Sequence, residues 1–281
     1  MGSPLVGRRF ALYLAIAITV ASTFASVLGG SGAASRRPDV MASFSATSMD
    51  GIRCPKVAAI KTTAAAMPES GLRALARLAR VETAPQLAAP SAGMNSMADA
   101  TAVNMPLAER DALMSELRRA ARASCGLLTI SAAESAGYYL ASPYVDGVGT
   151  HWINWAEVDR PFDPARPSML LFKTIGGVPQ LAAFSYWVRS AAPPTGFSGP
   201  ADHWHRHSGL CFVAGQWAGE DFARSECHGV WLNGGDLWML HAWVVPDNEN
   251  PAGIFAPRSR QLCRPHTPDI DACPGQGRPG T

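Results

Sequence analysis

The stretch HWHRHSGLC (203–211) places histidines at 203, 205 and 207 and a cysteine at 211. On a strand, alternate residues share a face, so His203, His205, His207 and Cys211 would stand on one side. Trp204, Arg206, Leu210 and Phe212 would stand on the other. Two imidazoles at i and i+2 can converge on one ion, and neutral imidazole suits zinc, copper, iron and nickel. His241 lies in LWMLHAWVV, apolar on both faces, which predicts a buried, uncharged ring that needs a hydrogen-bond partner or a metal. His151 opens HWINW directly after DGVGT, at the mouth of a predicted strand. Two readings therefore stand side by side: ligands of one ion, or hydrogen-bonded core histidines. His228 beside Cys227, and His266 near the end of the chain, fit neither.

Other chemistries find less to use. GFSGP (196–200) departs from the nucleophile elbow, because Pro200 holds the last glycine position. There is no phosphate loop and no HExxH. Glu220 and Asp221 are adjacent, so on extended backbone their carboxylates diverge. DNEN (247–250) offers oxygen ligands but reads as a turn before Pro251.

These residues must be held by elements. The sequence 104–125 predicts a helix, with Asn104 as N-cap, Pro106 in the first turn and an apolar stripe of Leu107, Leu113, Met114, Leu117 and Ala121. All eight tryptophans then fall between 152 and 243, in short runs rich in β-branched and aromatic residues. MLLFK and QLAAFSYWV around TIGGVP predict a hairpin. GVWL and LWMLHAWVV around NGGD predict another. HWINW and SGLCFVA supply two more strands. The expected fold is α+β and mostly β, an antiparallel β-sandwich or barrel-like domain over 105–265 with one N-terminal amphipathic helix.

Residues 35–104 are rich in Ala, Ser, Met, Thr and Pro with almost no aromatics, which predicts a largely disordered linker dispensable for folding. Within it SGLRALARLARV (70–81) has helical spacing. Residues 266–281 read as a Pro/Gly tail. Arg8 and Arg9 precede an apolar run from Phe10 to about Val27, then small residues. Residues 1–34 thus read as a secretory signal, cut near Ala21–Ala25 or Gly32–Ala34, or as a retained anchor. Both place the rest in an extracellular or periplasmic compartment. Six cysteines in an exported chain favour disulfides. Short-range closure points to Cys211–Cys227 and Cys263–Cys273. A net charge of +2 with no Lys/Arg run beyond a pair excludes nucleic acid as a partner. A membrane is met only through an uncleaved N-terminus, and the sequence names no protein or small-molecule partner.

AGYYLASPYVDGVGTHWINW, FDPARPSMLLF, WHRHSGLC and WMLHAWVVPDNENPAGIFAP, in that order, resemble a family of uncharacterised exported bacterial proteins. Its pattern is Gly-x-His-[Trp/Tyr]-x-Asn, Asp-Pro-x-x-Pro, Trp-His-x-His-x-x-Leu-Cys and His-x-Trp…Asn-Pro-x-Gly-x-Phe, covering Ala136 to Cys263. The chain departs from it in a longer VVPDNENP link and in lacking a second Asn-Pro within APRSRQLC. The resemblance implies no activity. It gathers His151, His205, His207 and His241, with Asn154 and Trp243 as supports of the ligating rings, and leaves His203 aside. The expected function is binding of one transition metal ion, zinc or copper before iron, by those four histidines. The alternatives are a hydrolytic or oxygen-using metalloenzyme with Glu220, Asp221 or Asp163 as acid/base group, and a metal-free surface interaction module.

Overall fold

Period-two alternation decides which residues meet. The computed structural model describes residues 51–58, 64–80, 105–158 and 160–264. Their helices are α1 (Glu69–Arg80), α2 (Leu107–Ser124) and α3 (Ile130–Ser135). The strands are β1 (Tyr139–Leu140), β2 (Thr150–Ile153), β3 (Met169–Ile175), β4 (Val178–Arg189), β5 (His205–Arg206), β6 (Leu210–Val213), β7 (Gln216–Gly219), β8 (Val230–Leu232) and β9 (Leu237–Ala242). A six-stranded sheet runs β1-β2-β3-β4-β9-β5 and a three-stranded sheet runs β7-β6-β8. Every strand pair is antiparallel. The mostly-β, antiparallel α+β fold is the one predicted.

On one face of the large sheet, Leu170, Phe172, Phe184, Tyr186 and Leu240 pack with Leu113 and Leu117 of α2. Their alternates Met169, Trp187 and Met239 pack with Leu210, Phe212 and Leu232 of the small sheet. Trp155 and Phe212 meet edge-on at 5.0 Å, a favoured aromatic geometry, and join the two layers. The layers are helix, large sheet, small sheet. His151, Ser185 and His241 have the parity of the second face, so they look toward the small sheet.

Several local expectations are revised. Asn104 lies outside the described residues; Pro106 is the N-cap of α2, and Leu107 is 68% exposed rather than part of the buried stripe. The β3–β4 hairpin forms as predicted, with Gly176 and Gly177 both at positive φ in its two-residue turn. NGGD makes no hairpin. Gly234–Asp236 is a 3-10 turn, with Asn233 accepting from Gly235 N, and β8 and β9 belong to different sheets. Gly234 lies so close to the His207 carbonyl that a Cβ there would sit 1.8 Å from its oxygen. The loop is therefore shaped by packing across the sheets. Nor is 203–213 one strand: Gly209, at φ +56°, breaks it into β5 of the large sheet and β6 of the small one.

The expected linker needs the largest correction. Within 35–104, α1 buries Leu75 and Leu78 against the small-sheet cluster, and Arg189 Nη2 donates to the Leu78 carbonyl at 3.4 Å. A disulfide Cys54–Cys125 ties residue 54 to the end of α2. Few aromatics are needed when aliphatic residues at helical spacing find an apolar wall. Cys211–Cys227 is formed as predicted, with Cα atoms 5.5 Å apart. Cys263 is also disulfide-bonded, while residue 273 of its expected pair lies outside the described residues. So do residues 1–50, which hold the expected signal, and the tail. Among the described residues no helix is long and apolar enough to cross a membrane.

Candidate metal centre

Four histidines from three separate segments come together. His151 is on β2, His241 on β9, and His205 and His207 lie in and just after β5. Ring centroids are 6.2 Å apart for His151 and His241, 5.6 Å for His241 and His205, and 5.2 Å for His205 and His207. Two imidazoles bound through nitrogen to one tetrahedral ion, at about 2.0–2.1 Å, have centroids roughly 5.2 Å apart. The observed separations match that span or exceed it by up to an ångström. As the side chains stand, no group of three or more His, Cys, Asp or Glu among the described residues is arranged to hold an ion. His203 is half-buried and does not line the cavity beside these rings.

The tautomers follow from the partners' chemistry. His241 Nδ1 is 2.8 Å from the Pro257 carbonyl, which can only accept, so Nδ1 carries the proton. His207 Nδ1 bonds a Glu220 carboxylate oxygen and is likewise the donor. Ser142 Oγ donates to the Pro143 carbonyl and accepts from His151 N, each at 2.9 Å. With its hydrogen committed there, Ser142 accepts from His151 Nδ1, also at 2.9 Å. All three rings are left with a bare Nε2. This is how proteins prepare imidazoles as ligands.

Burial sets their charge. His151 is pushed down to about 4 and His241 to about 3, first by desolvation and then by the neighbouring imidazoles. His205 is held well below the ordinary range, first by desolvation and then by His241 and His207, against opposing pulls from the His203 backbone and from Glu220. Neutral imidazole is the ligating form. His241 Nε2 and both ring nitrogens of His205 are buried and complete no hydrogen bond. Glu220 is held below the usual carboxylate range, chiefly by its bond to His207.

The rings edge a cavity of about 130 Å³ between the sheets. His151, His207, His241, Glu220 and Arg258 line its polar side. Met169, Trp187, Leu210, Phe212 and Met239 line the other. His205 sits behind, against His207 and His241.

The expected supports divide. Asn154 donates to the Ala136 carbonyl and accepts from Ala156 N, so it shapes a turn and holds none of the four rings. Trp243 does act on the site, one step removed. Its Nε1 donates to the Ala256 carbonyl at 2.7 Å, while Asn250 Nδ2 donates to the Arg258 carbonyl at 2.8 Å. These bonds bracket Pro257, whose carbonyl orients His241. Of the acid/base candidates, Glu220 reaches the cavity. Asp221 accepts from Ser208 Oγ, and Asp163 pairs with Arg119. Sequence reasoning missed Ser142 and Pro257, because a serine before proline and a carbonyl in a loop carry no signal of their own. No family model, curated protein or solved structure matches this chain.

Proposed function

We propose that this protein is exported and binds one transition metal ion, zinc or copper, through His151, His205, His207 and His241. The observation that carries the reading is a set of neighbouring imidazoles, of which His205 and His241 are buried with ring nitrogens that complete no hydrogen bond. Burying such an atom unsatisfied costs about 1–3 kcal/mol, and coordination would remove that cost at His241 Nε2 and at one nitrogen of His205. The Nδ1 protons committed to Glu220, Pro257 and Ser142 support it further, because they aim lone pairs from Nε2. The disulfides fit an oxidising compartment, and the family resemblance over Ala136–Cys263 belongs to the same proposal. Within that stretch, Gly149 of GTHWIN lets two backbones meet. At φ +92° it approaches the Phe172 carbonyl so closely that a Cβ would lie 2.4 Å from its oxygen. That approach seats β2 and with it His151.

The test is metal content by mass spectrometry of the untagged full chain, followed by Zn²⁺ and Cu²⁺ titration after chelation. One ion per chain, with a raised melting temperature, is the expected result. No stoichiometric uptake and no thermal shift with either metal would overturn the reading in favour of core histidines.

A further inference from the structure

The cavity has two unlike sides, and that asymmetry describes an occupant. Its volume of about 130 Å³ is close to the roughly 150 Å³ of an engineered apolar cavity that accepts benzene. The room is therefore for a single ring of about six to eight heavy atoms. Trp187 and Phe212 line its apolar side and Trp217 stands half-buried at its edge, giving flat surfaces for a planar ring. Trp187 is almost wholly buried, and its Nε1 completes no hydrogen bond.

The polar side asks for a donor. His241 donates from Nδ1 to the Pro257 carbonyl and so presents Nε2 as an acceptor. The Glu220 carboxylate and Arg258 guanidinium line the same side together, so a ligand carboxylate would meet no net positive charge there. A hydroxyl can donate to a bare Nε2, or as an oxyanion bind an ion held there. We infer that the cavity binds small monohydroxylated or dihydroxylated aromatic rings, of the phenol and catechol class, with the ring against Trp187 and Phe212 and the hydroxyl toward His241. The inference goes beyond metal binding and does not require it.

Isothermal titration of the full chain with phenol, benzoate and cyclohexanol tests this, run once after chelation and once with zinc added. Saturable 1:1 binding of phenol is expected in at least one state, with benzoate and cyclohexanol each about tenfold weaker or more. Met239→Phe, which fills the cavity, should weaken phenol at least about tenfold. Should that variant fail to fold by circular dichroism, Trp217→Ala at the edge serves instead, with the same expected direction. No saturable phenol binding in either state, equal binding of benzoate, or phenol affinity untouched by the variant would each overturn the inference. Metal uptake is read separately, so phenol binding without metal leaves this inference standing and the metal proposal refuted. Metal uptake without phenol binding does the reverse.

Discussion

At the scale of single residues, the site is an arrangement of protons. His207 and His241 donate from Nδ1 to groups that can only accept, so replacing an acceptor changes which nitrogen is bare. Glu220→Gln substitutes an amide that bonds His207 more weakly and leaves its tautomer free to switch. Metal affinity is expected to fall about 10- to 100-fold with little change in the metal-free fold, since Glu220 is part-exposed. Equilibrium dialysis with zinc measures it. The buried rings also impose a pH dependence on the chelated protein. An unfolded histidine takes its proton near 6.5, whereas folded His151 and His241 resist until about 4 and about 3. Between those values the unfolded state binds more protons, so stability is full above about 6.5 and drains as pH falls toward 3. The loss is on the order of 3 kcal/mol for His151 and more for His241. Urea midpoints from pH 7 to pH 4 check this; a flat profile would mean that the rings are not buried neutral.

At the scale of elements, the histidines depend on segments that have little reason of their own to hold still. His207 and Glu220 flank the small sheet, and the chain from β6 to the end of the Glu220 loop is closed by Cys211–Cys227, 16 residues apart. Asp221 N donates to the Ser208 carbonyl and Phe222 N to the Gly209 carbonyl, pinning the loop back on the break after β5. A closure of that length contributes about 3 kcal/mol. The double variant Cys211→Ser, Cys227→Ser is expected to lose about that much, by denaturant midpoint, and to bind metal more weakly than the same destabilisation elsewhere would cause. On the opposite side, Trp243→Phe removes the bond to Ala256 from a buried indole, at a cost of about 1–3 kcal/mol. Zinc affinity should fall with it, because the Pro257 carbonyl loses its brace. Unchanged zinc affinity would show that the loop is held without Trp243.

At the scale of the whole molecule, residues well before the tryptophan-rich region belong to the domain. The Cys54–Cys125 bond closes 71 residues, and α1 covers the small sheet with the fully buried Leu75. Deleting residues 1–50 keeps the disulfide and the helix and gives the reference truncation. Deleting 1–104 removes the disulfide and the helix, worth together at least about 4 kcal/mol, and should lower the melting temperature by roughly 10 °C. Equal melting temperatures for the two truncations would show that α1 rests on the domain without supporting it.

The mostly-β class, the β3–β4 hairpin, the body of α2 and the Cys211–Cys227 pair were all legible in the chain, because each rests on local periodicity, turn chemistry or short-range closure. Gly176 and Gly177 need no distant partner to accept positive φ. The same local signals misled at NGGD, where packing against the His207 carbonyl sends β8 and β9 to different sheets, and at 203–213, where Gly209 cuts a continuous polar-apolar alternation. The role of α1 was hidden because its leucines look like those of any amphipathic helix until an apolar wall faces them. Residue types marked His151, His205, His207 and His241 as a possible group, and the ordering of their motifs bound them more tightly. Their meeting, the bare Nε2 atoms, and the cavity with Glu220 on one side and tryptophan on the other arise only when two sheets close on each other. Those properties belong to pairs of residues far apart in sequence, and no period or spacing along a single chain encodes the distance between them.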